Sequence, residues 1–223
     1  MFNKKLYINK HTPFIDRIIY LNRIKIVKII HNYLKDEKLN SILDVGTTND
    51  KNKSSNILIK KLKFFNEYKS ISNQRITDNF FKKKITKSIT ENLSKKEIQN
   101  LKSDVVLSNA TIEHTGSTKK QIKMCENIIK LSKKYFIIIT PNRLHPLEFH
   151  TKIPLIHWMP KKLHRKILNF FKFDFLSKEQ NLNLLTKNDL IDFMEKLGHK
   201  KYFLFHIRFL LFKSNIILIG KKN

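Results

Sequence analysis

The chain contains few cysteine, glycine, proline and alanine residues, and it has no long apolar run. Cys125 is the only cysteine among 223 residues, which excludes an intrachain disulfide and favours a reducing compartment. No uncharged stretch approaches the roughly 20 residues that a membrane span requires, and the polar segment Met1–Lys10 lacks the apolar region of a signal peptide. We therefore expect a cytoplasmic protein, either soluble or peripheral at the inner membrane surface.

Acidic residues are also scarce. The chain has 18 Asp and Glu against 45 Lys and Arg, for a formal net charge of +27. This charge suggests a nucleic-acid partner, but 39 of the 45 cations are Lys and only 6 are Arg. A nucleic-acid binder is expected to use Arg, whose planar guanidinium fits phosphates and guanine edges better than an ammonium does. The lysine excess, accompanied by 31 Ile, is typical of an AT-rich genome and gives only weak support for a polyanion partner.

The sequence that remains alternates between apolar runs and segments of helical spacing. A hydrophobic fraction of 41 % suits the packed core of one domain. Helices are predicted over Phe14–Leu34, Ile57–Phe65, Lys119–Leu131 and from Thr186 to a C-cap at Gly198, and strands at Ser41–Val45, Ser70–Ser72, Lys84–Ile89, Asp104–Leu107 and Tyr135–Thr140. Such alternation predicts a parallel sheet with right-handed crossovers. Two last runs, Tyr202–Phe212 and Ser214–Gly220, predict a hairpin around Lys213.

The scarce small and rigid residues concentrate in one part of the chain. Six of the ten Gly, Ala and Pro residues fall within positions 110–160, and Gly46 follows the first predicted strand. A doubly wound sheet binds its ligand beyond the carboxyl ends of its strands, where the strand order reverses. We therefore expect the functional site at these loops.

Two strand ends combine small residues with ionisable ones. At the first, Asp44 precedes Gly46, which lets the backbone turn and approach a ligand closely, although an ordinary strand-to-helix turn explains the pattern equally well. At the second, the small Ser108 leaves room for a flat ligand, while Glu113 and His114 can orient a substrate or accept a proton. The alternative is that Glu113 only favours a helix N-terminus and His114 only packs.

The loop after the strand Tyr135–Thr140 is rich in reactive side chains. It carries Asn142, Arg143, His145, Glu148, His150, His157 and Trp158, which suit the wall and lid of an acceptor site. Three of them, His145, Glu148 and His150, are acceptable zinc ligands. Their spacing fits no standard zinc pattern, so we expect no metal.

The motifs ILDVGT, DVVLSNATIEHTGS and FIIITPNRLHPLEFHTKIPLIHWMP together resemble the class I S-adenosylmethionine-dependent methyltransferases of the small bacterial Rossmann-like kind. The resemblance runs from about Ser41 to the C-terminus and implies S-adenosylmethionine as cofactor. The cofactor-binding residues that it implies are Asp44, Gly46, Thr47, Asn73, Ser108 and Asn109. The resemblance places Glu113 and His114 at the transfer region. Among the catalytic candidates Glu113, His114 and His145, we expect His114 to be the base, because the ordinary pKa of histidine is near neutrality, with His145 and His150 as the next candidates. Asn142, Arg143, His150, His157 and Trp158 are assigned to the acceptor.

The expected fold class is a single Rossmann-like, doubly wound α/β sheet, mostly parallel, with an antiparallel C-terminal hairpin and helices on both faces. We divide the one domain, residues 1–223, into an N-terminal helical segment (1–40), a cofactor-binding core (41–145), an acceptor-side insertion (146–185) and a final helix and hairpin (186–223). The sequence does not indicate an oligomeric state.

The acceptor stays open at this point. A small molecule or an envelope glycan or lipid is expected, and the basic, Phe-rich stretch Lys161–Leu176 suits either an anionic membrane surface or a core-packing helix with a solvated lysine face. Thr48 and Asp50 occupy positions where the family usually has glycine. A binding module that keeps the fold without catalysis is therefore an alternative, as is an RNA methyltransferase or nucleic-acid binder.

Overall fold

The computed structural model describes residues 13–50, 52, 54–209 and 211–222. Its helices are α1 (Pro13–Leu34), α2 (Ile57–Lys61), α3 (Lys95–Leu101), α4 (Thr118–Leu131), α5 (Lys161–Phe170) and α6 (Lys187–Lys196). Its strands are β1 (Ser41–Val45), β2 (Glu67–Ser72), β3 (Lys83–Thr86), β4 (Ser103–Asn109), β5 (Ser132–Pro141), β6 (Tyr202–Phe209) and β7 (Phe212–Lys221). Two 3₁₀ turns, Ile112–His114 and Ile156–Trp158, lie in the loops after β4 and β5.

All seven strands belong to one sheet, in the order β3-β2-β1-β4-β5-β7-β6. Strands β1 to β5 pair in parallel, and β7 lies antiparallel between β5 and β6. The predicted fold class is therefore confirmed, including the antiparallel C-terminal hairpin. The strand order reverses between β1 and β4, which is where sheets of this type bind ligands.

The alternation of side chains along the strands divides the core into two layers. On one face Ile42, Val105 and Ile137 pack with Ile26 and Ile30 of α1. On the other face Leu43, Val106 and Phe136, which are their neighbours along the same strands, pack with Met124 and Ile128 of α4 and with Leu190 and Phe193 of α6. Because both faces of the central strands are covered, these strands appear in the sequence as continuous apolar runs.

The predicted ends of α6 are confirmed. Thr186 accepts a hydrogen bond from the backbone N–H of Asp189, and the carboxylate of Asp189 accepts one from the backbone N–H of Thr186, which forms a capping box. Gly198 follows the helix at a φ of +66°, the left-handed conformation that ends many helices.

Three predicted boundaries are wrong. The hairpin turns before Phe212, at a position where Leu211 has a φ of +66°, and the exposed Lys213 pairs with Arg208 inside the hairpin. Helix α2 ends at Lys61 because the chain leaves the helical conformation at Leu62, whose side chain is buried in the core. Strand β3 covers Lys83–Thr86 rather than Lys84–Ile89.

Within the described residues, no helix is both long enough and apolar enough to cross a bilayer.

Candidate active site

A cavity of about 220 Å³ opens at the carboxyl ends of β1 and β4. Asp44, Val45 and Gly46 line it from β1 and its following turn, and Asn109 and Ala110 line it from the end of β4. Pro141 and Phe149 contribute from β5 and the loop after it, and α1 covers another side with Asp16, Ile19, Asn22, Arg23 and Ile26. The cavity therefore lies where the strand order reverses, as the sequence predicted.

Gly46 makes a close approach that only glycine allows. Its φ is +90°, and a Cβ atom built on it would lie 2.2 Å from Oγ1 of Thr111, in the turn after β4. Any side chain at this position would therefore force the ends of β1 and β4 apart. The glycine fixes the path of the chain between Asp44 and the rest of the loop.

Asp44 is a buried carboxylate on the wall of this cavity, with 7 % of its surface exposed. Its Oδ2 accepts a hydrogen bond of 2.6 Å from the hydroxyl of Thr47. Burial raises the pKa of Asp44 to about 6, and the hydrogen bond from Thr47 opposes that rise only in part. Desolvation thus destabilises the ionised form of Asp44, and a cation in the cavity would offset this free-energy cost.

The charged residues of the cavity wall are mostly acidic, although the chain as a whole carries a net charge of +27. Asp16, Asp44 and Asp50 line it together with the guanidinium of Arg23 and the imidazole of His150. Asp50 is held in place by its own loop, since its Oδ2 accepts a hydrogen bond of 2.9 Å from the Ser55 hydroxyl. Three of the 18 acidic residues of the chain therefore line one cavity, and this concentration of carboxylates favours a cationic ligand.

Arg23 connects α1 to the loop after β1. Its Nη1 donates a hydrogen bond to the carbonyl oxygen of Ser54. Burial lowers the pKa of the Arg23 guanidinium, and the nearby carboxylates of Glu113 and Asp50 act against that shift. The helix is therefore attached to the cavity by a polar contact as well as by its apolar face.

A cluster of two glutamates and two histidines lies beside the cavity. Glu148 Oε1 lies 2.5 Å from Nδ1 of His150, and Nε2 of His150 lies 3.2 Å from Nε2 of His114. Nδ1 of His114 is 2.7 Å from the carbonyl oxygen of Asn181, so this nitrogen carries the hydrogen. Glu113 is fully buried, and its Oε2 accepts a hydrogen bond of 3.0 Å from the hydroxyl of Thr140.

The charges in this cluster follow from its contacts. Burial lowers the pKa of His114, and the charge on His150 lowers it further, to about 3, so that His114 is neutral. Burial also disfavours the charged form of His150, but the Glu148 carboxylate outweighs it and raises the pKa of His150. For Glu148, burial is outweighed by the His150 charge and by hydrogen bonds that include the N–H groups of His150 and Thr151, and its pKa falls to about 2.

The structure brings several of the residues singled out in the sequence to the cavity and leaves others away from it. The cavity is lined by Asp44, Gly46, Asn109, His114 and His150. Thr47 and Ser108 are buried behind this wall, whereas Asn73 is exposed after β2. The assignment of Asn73 to the cofactor stays a prediction.

The residues predicted at the acceptor mostly make contacts within their own loop. Arg143 donates from Nε to the carbonyl oxygen of His157 and from Nη2 to that of Met159. Nδ2 of Asn142 donates to the carbonyl oxygen of Lys213, and the buried His145 stacks on the ring of Phe149. Trp158 is 48 % exposed. Their roles at the acceptor, and that of His145 in catalysis, stay predictions.

The contribution of α1 to the cavity was not predicted from the sequence. Asp16, Asn22 and Arg23 lie some twenty residues before the first motif, and helical spacing alone does not show which ligand a helix covers. One signal was present: Arg23 is one of only 6 Arg in the chain, so its scarcity singles it out in the same way as that of Gly46.

Comparisons with known proteins show where this fold occurs. No protein-family model and no curated protein matches the sequence. Among solved structures, magnesium protoporphyrin IX methyltransferase from Synechocystis PCC 6803 with bound S-adenosylmethionine matches with a TM-score of 0.56 at 10 % identity, over 99 % of this chain and 89 % of that one.

Two further structures agree. A putative S-adenosylmethionine-dependent methyltransferase from Listeria monocytogenes gives a TM-score of 0.54 at 14 % identity, over 91 % of this chain and 99 % of that one. The 1,6-didemethyltoxoflavin-N1-methyltransferase of Burkholderia thailandensis, with bound 1,6-didemethyltoxoflavin and S-adenosylhomocysteine, gives a TM-score of 0.56 at 9 % identity, over 91 % of this chain and 79 % of that one. The chain therefore has the fold of the class I S-adenosylmethionine-dependent methyltransferases.

Proposed function

We propose that the protein binds S-adenosylmethionine in the cavity at the ends of β1 and β4 and transfers its methyl group to an acceptor. The observation that carries this proposal is the placement of Asp16, Asp44 and Asp50 around one cavity of a strongly basic chain. S-adenosylmethionine carries an ammonium and a sulfonium cation, so its charge complements this wall. Solved methyltransferases of the same fold contain S-adenosylmethionine or S-adenosylhomocysteine, which supports the same assignment here.

Some residues of the cavity wall bind the methyl donor, and others align the acceptor with it. S-adenosylmethionine supplies a methyl group on a sulfonium, which is already a good leaving group. Asp44 holds the positive charge, and Gly46 lets the backbone lie close to the ligand. His114 and His150 face the same cavity and place the acceptor. Because the chemistry needs mainly the alignment of nucleophile and methyl carbon, this positioning supplies most of the rate.

A calorimetric titration with S-adenosylmethionine tests the proposal before any acceptor is known. We expect one binding site per chain in the wild-type protein. Asp44→Asn should weaken binding by about 10- to 100-fold, because a hydrogen bond to a charged group is worth about 1.5–3 kcal/mol.

Asp104→Asn is the matched control. Asp104 lies at the opposite end of the same two strands, where its Oδ2 accepts hydrogen bonds from the backbone N–H groups of Asn40 and Ser41. Its removal should leave the affinity unchanged. Absence of binding to the wild-type protein, or equal affinity in the Asp44→Asn variant, would refute the proposal.

We also infer that the acceptor is presented at an anionic membrane surface. The loop after β5 and helix α5 carry seven exposed apolar residues, Leu144, Leu155, Trp158, Met159, Leu163, Phe170 and Phe171. Between Leu144 and Phe173 the sequence contains six Lys and Arg and a single acid, Glu148, which is buried. Leu163, Lys166 and Phe170 are spaced to share one face of α5. Exposed apolar side chains among cations are typical of helices that lie on anionic bilayers.

Sedimentation with lipid vesicles tests this second inference. The protein should sediment with vesicles of phosphatidylcholine and phosphatidylglycerol but not with pure phosphatidylcholine, and high salt should weaken the binding. Phe170→Ser should reduce binding, since Phe170 is 82 % exposed. Phe14→Ser, at a 73 % exposed position on α1, is the control. If neither vesicle binds, or if both variants bind like wild type, the core-packing interpretation of this stretch replaces the membrane one.

A further inference from the structure

Three potential ligand atoms converge beside the cavity, and they come from two different loops. Glu113 and His114 follow β4, and His150 follows β5. An oxygen of Glu113 and a ring nitrogen of each histidine all lie within 4.8 Å of one another. Nε2 of His114 is 3.2 Å from Nε2 of His150 and 4.0 Å from Oε1 of Glu113. Ligands of a four-coordinate zinc ion lie roughly 3.3 Å apart, given bonds of about 2.0–2.1 Å.

Each of these three side chains is held in place by its other polar atom. Nδ1 of His114 is fixed by the carbonyl oxygen of Asn181, and Nδ1 of His150 by the carboxylate of Glu148. Oε2 of Glu113 is fixed by the hydroxyl of Thr140. Histidines that bind metals almost always donate their second ring N–H to a carboxylate or a backbone carbonyl in this way. The cluster therefore has the supporting contacts of a metal site as well as the ligands.

The other carboxylate oxygen of Glu113, Oε1, is buried and accepts no hydrogen bond within the described residues. The side chain is fully buried, and this oxygen has no hydrogen-bond partner in the part of the chain that the structure describes. A buried carboxylate oxygen without a partner costs free energy on the order of a few kcal/mol. The contact between His114 and His150 satisfies both histidines but leaves this oxygen unsatisfied, whereas an ion between the three residues would use all three atoms.

We propose that Glu113, His114 and His150 bind a divalent transition-metal ion such as Zn²⁺. Two imidazole nitrogens and one carboxylate form the ligand set of zinc sites that keep a coordination position open. His114 and His150 both line the cavity, so the open position faces it. In the sequence, His145, Glu148 and His150 were acceptable zinc ligands, but their spacing led us to expect no metal. The structure assembles a different trio, in which Glu148 supports a ligand instead of being one.

The open position defines what the ion does. It binds an oxygen of the acceptor and holds it at the wall of the cavity where the methyl donor is proposed to bind. This role rests on the proposed function, but the metal site itself does not. An acceptor with a hydroxyl or carboxylate oxygen is the chemical class that such an ion selects.

Metal titration of the full chain, first stripped with a chelator and free of S-adenosylmethionine, tests the site. Zn²⁺ should bind with a stoichiometry of one per chain and raise the unfolding temperature. Co²⁺ should bind at the same place and give the visible absorption of a site with nitrogen and oxygen ligands. Excess Zn²⁺ should then displace Co²⁺ and remove this absorption, because Zn²⁺ has a filled d shell.

Variants of the two glutamates distinguish a metal ligand, Glu113, from a residue that only orients a ligand, Glu148. Glu113→Gln keeps the shape of the side chain and should weaken Zn²⁺ binding by at least about 100-fold, as expected for a lost ligand. Glu148→Gln should weaken it by about 10- to 100-fold, the usual effect of losing a supporting carboxylate. Glu126→Gln, on the exposed side of α4, is the control and should bind as wild type does.

Circular dichroism of each variant confirms that it is folded. If Glu148→Gln is not folded, the Zn²⁺ affinity of Glu113→Gln alone tests the site. If neither glutamate variant is folded, His150→Asn is used in their place. The proposal is overturned if the wild-type chain takes up no Zn²⁺, or if Glu113→Gln binds it with unchanged affinity and an unchanged Co²⁺ spectrum. Failure of S-adenosylmethionine to bind would refute the proposed function, but it would not affect the test of the metal site.

Discussion

Asp44 and Asp104 lie at opposite ends of two neighbouring parallel strands and have opposite environments. Asp104, at the start of β4, accepts hydrogen bonds from the N–H groups of Asn40 and Ser41. Burial disfavours its charge, but these two donors outweigh burial and lower its pKa. Asp44, near the end of β1, has one hydroxyl donor, and burial raises its pKa to about 6.

The difference separates a carboxylate that stabilises the fold from one that we propose to bind a ligand. A carboxylate that is satisfied by backbone N–H groups stabilises the chain connection that it holds. A buried carboxylate with few donors destabilises the folded protein when it is ionised, and a chain retains such a group where a ligand compensates the cost.

Gly46→Ala should have the largest effect, because it moves the turn that follows Asp44. The new Cβ would lie 2.2 Å from Thr111 Oγ1, at a φ of +90°. Steric overlap and backbone strain together should lower the free energy of unfolding by about 4 kcal/mol. Gly198→Ala is the control, since Gly198 has a positive φ but no atom within 4 Å of the added Cβ. It should cost about 1 kcal/mol. Equal losses in urea denaturation would contradict the close approach at Gly46.

Asp44→Asn should stabilise the protein without its ligand. The folded-state pKa of about 6 lies above the ordinary value of 3.8. The stability that Asp44 contributes is therefore full below about pH 4 and is lost as the pH rises through about 6. The variant escapes this loss, and its advantage in unfolding free energy should grow over that range to about 3 kcal/mol. An advantage that is absent above about pH 7 would show that Asp44 is not strained.

Asp104→Asn should destabilise the protein, in contrast to Asp44→Asn. The amide oxygen can take the place of Oδ2 and accept both hydrogen bonds, but it carries no charge and the bonds are weaker, so the unfolding free energy should fall by about 1 kcal/mol near neutral pH. Because the pKa of Asp104 is lowered in the folded state, this loss should shrink as the pH falls through that pKa. Chemical denaturation at neutral and acidic pH measures it, and a stabilising substitution here would remove the contrast with Asp44.

Thr47→Val should show the smallest effect and the most specific one. The hydroxyl of Thr47 is the side-chain donor to Oδ2 of Asp44, and Val replaces it with little change of volume. The loss should be about 1 kcal/mol above about pH 7, where Asp44 is ionised, and smaller when Asp44 is protonated. Unfolding curves at the two pH values decide, and a loss that does not depend on pH would mean that Thr47 acts through packing alone.

The sequence predicted the parts of this fold that depend on local pattern. The apolar runs of β1, β4 and β5, the capping residues Thr186 and Gly198, and the C-terminal hairpin are all local signals, and the structure confirms them. The boundary at Lys213 was wrong because a lysine in an exposed strand position resembles a turn residue in sequence. Short elements such as α2 and β3 depend on packing, and their ends cannot be read from spacing.

The site was predictable only where strand ends define it. Asp44, Gly46, Asn109 and His114 follow directly from the rule that parallel strands end at one edge. The contact between His114 and His150 joins loops 36 residues apart, and it depends on how the loop after β5 folds back. The wall formed by α1 likewise results from tertiary packing.

Hydrogen–deuterium exchange with and without S-adenosylhomocysteine tests the central claim, that the acidic cavity holds the methyl donor, most directly. We predict slower exchange on ligand addition in three segments: 16–26 of α1, 46–56 after β1 and 109–114 after β4. Each of these segments contains residues that line the cavity, whereas no residue of helix α5 lines it, and α5 should exchange as before. No protection, or protection only outside these three segments, would contradict the account.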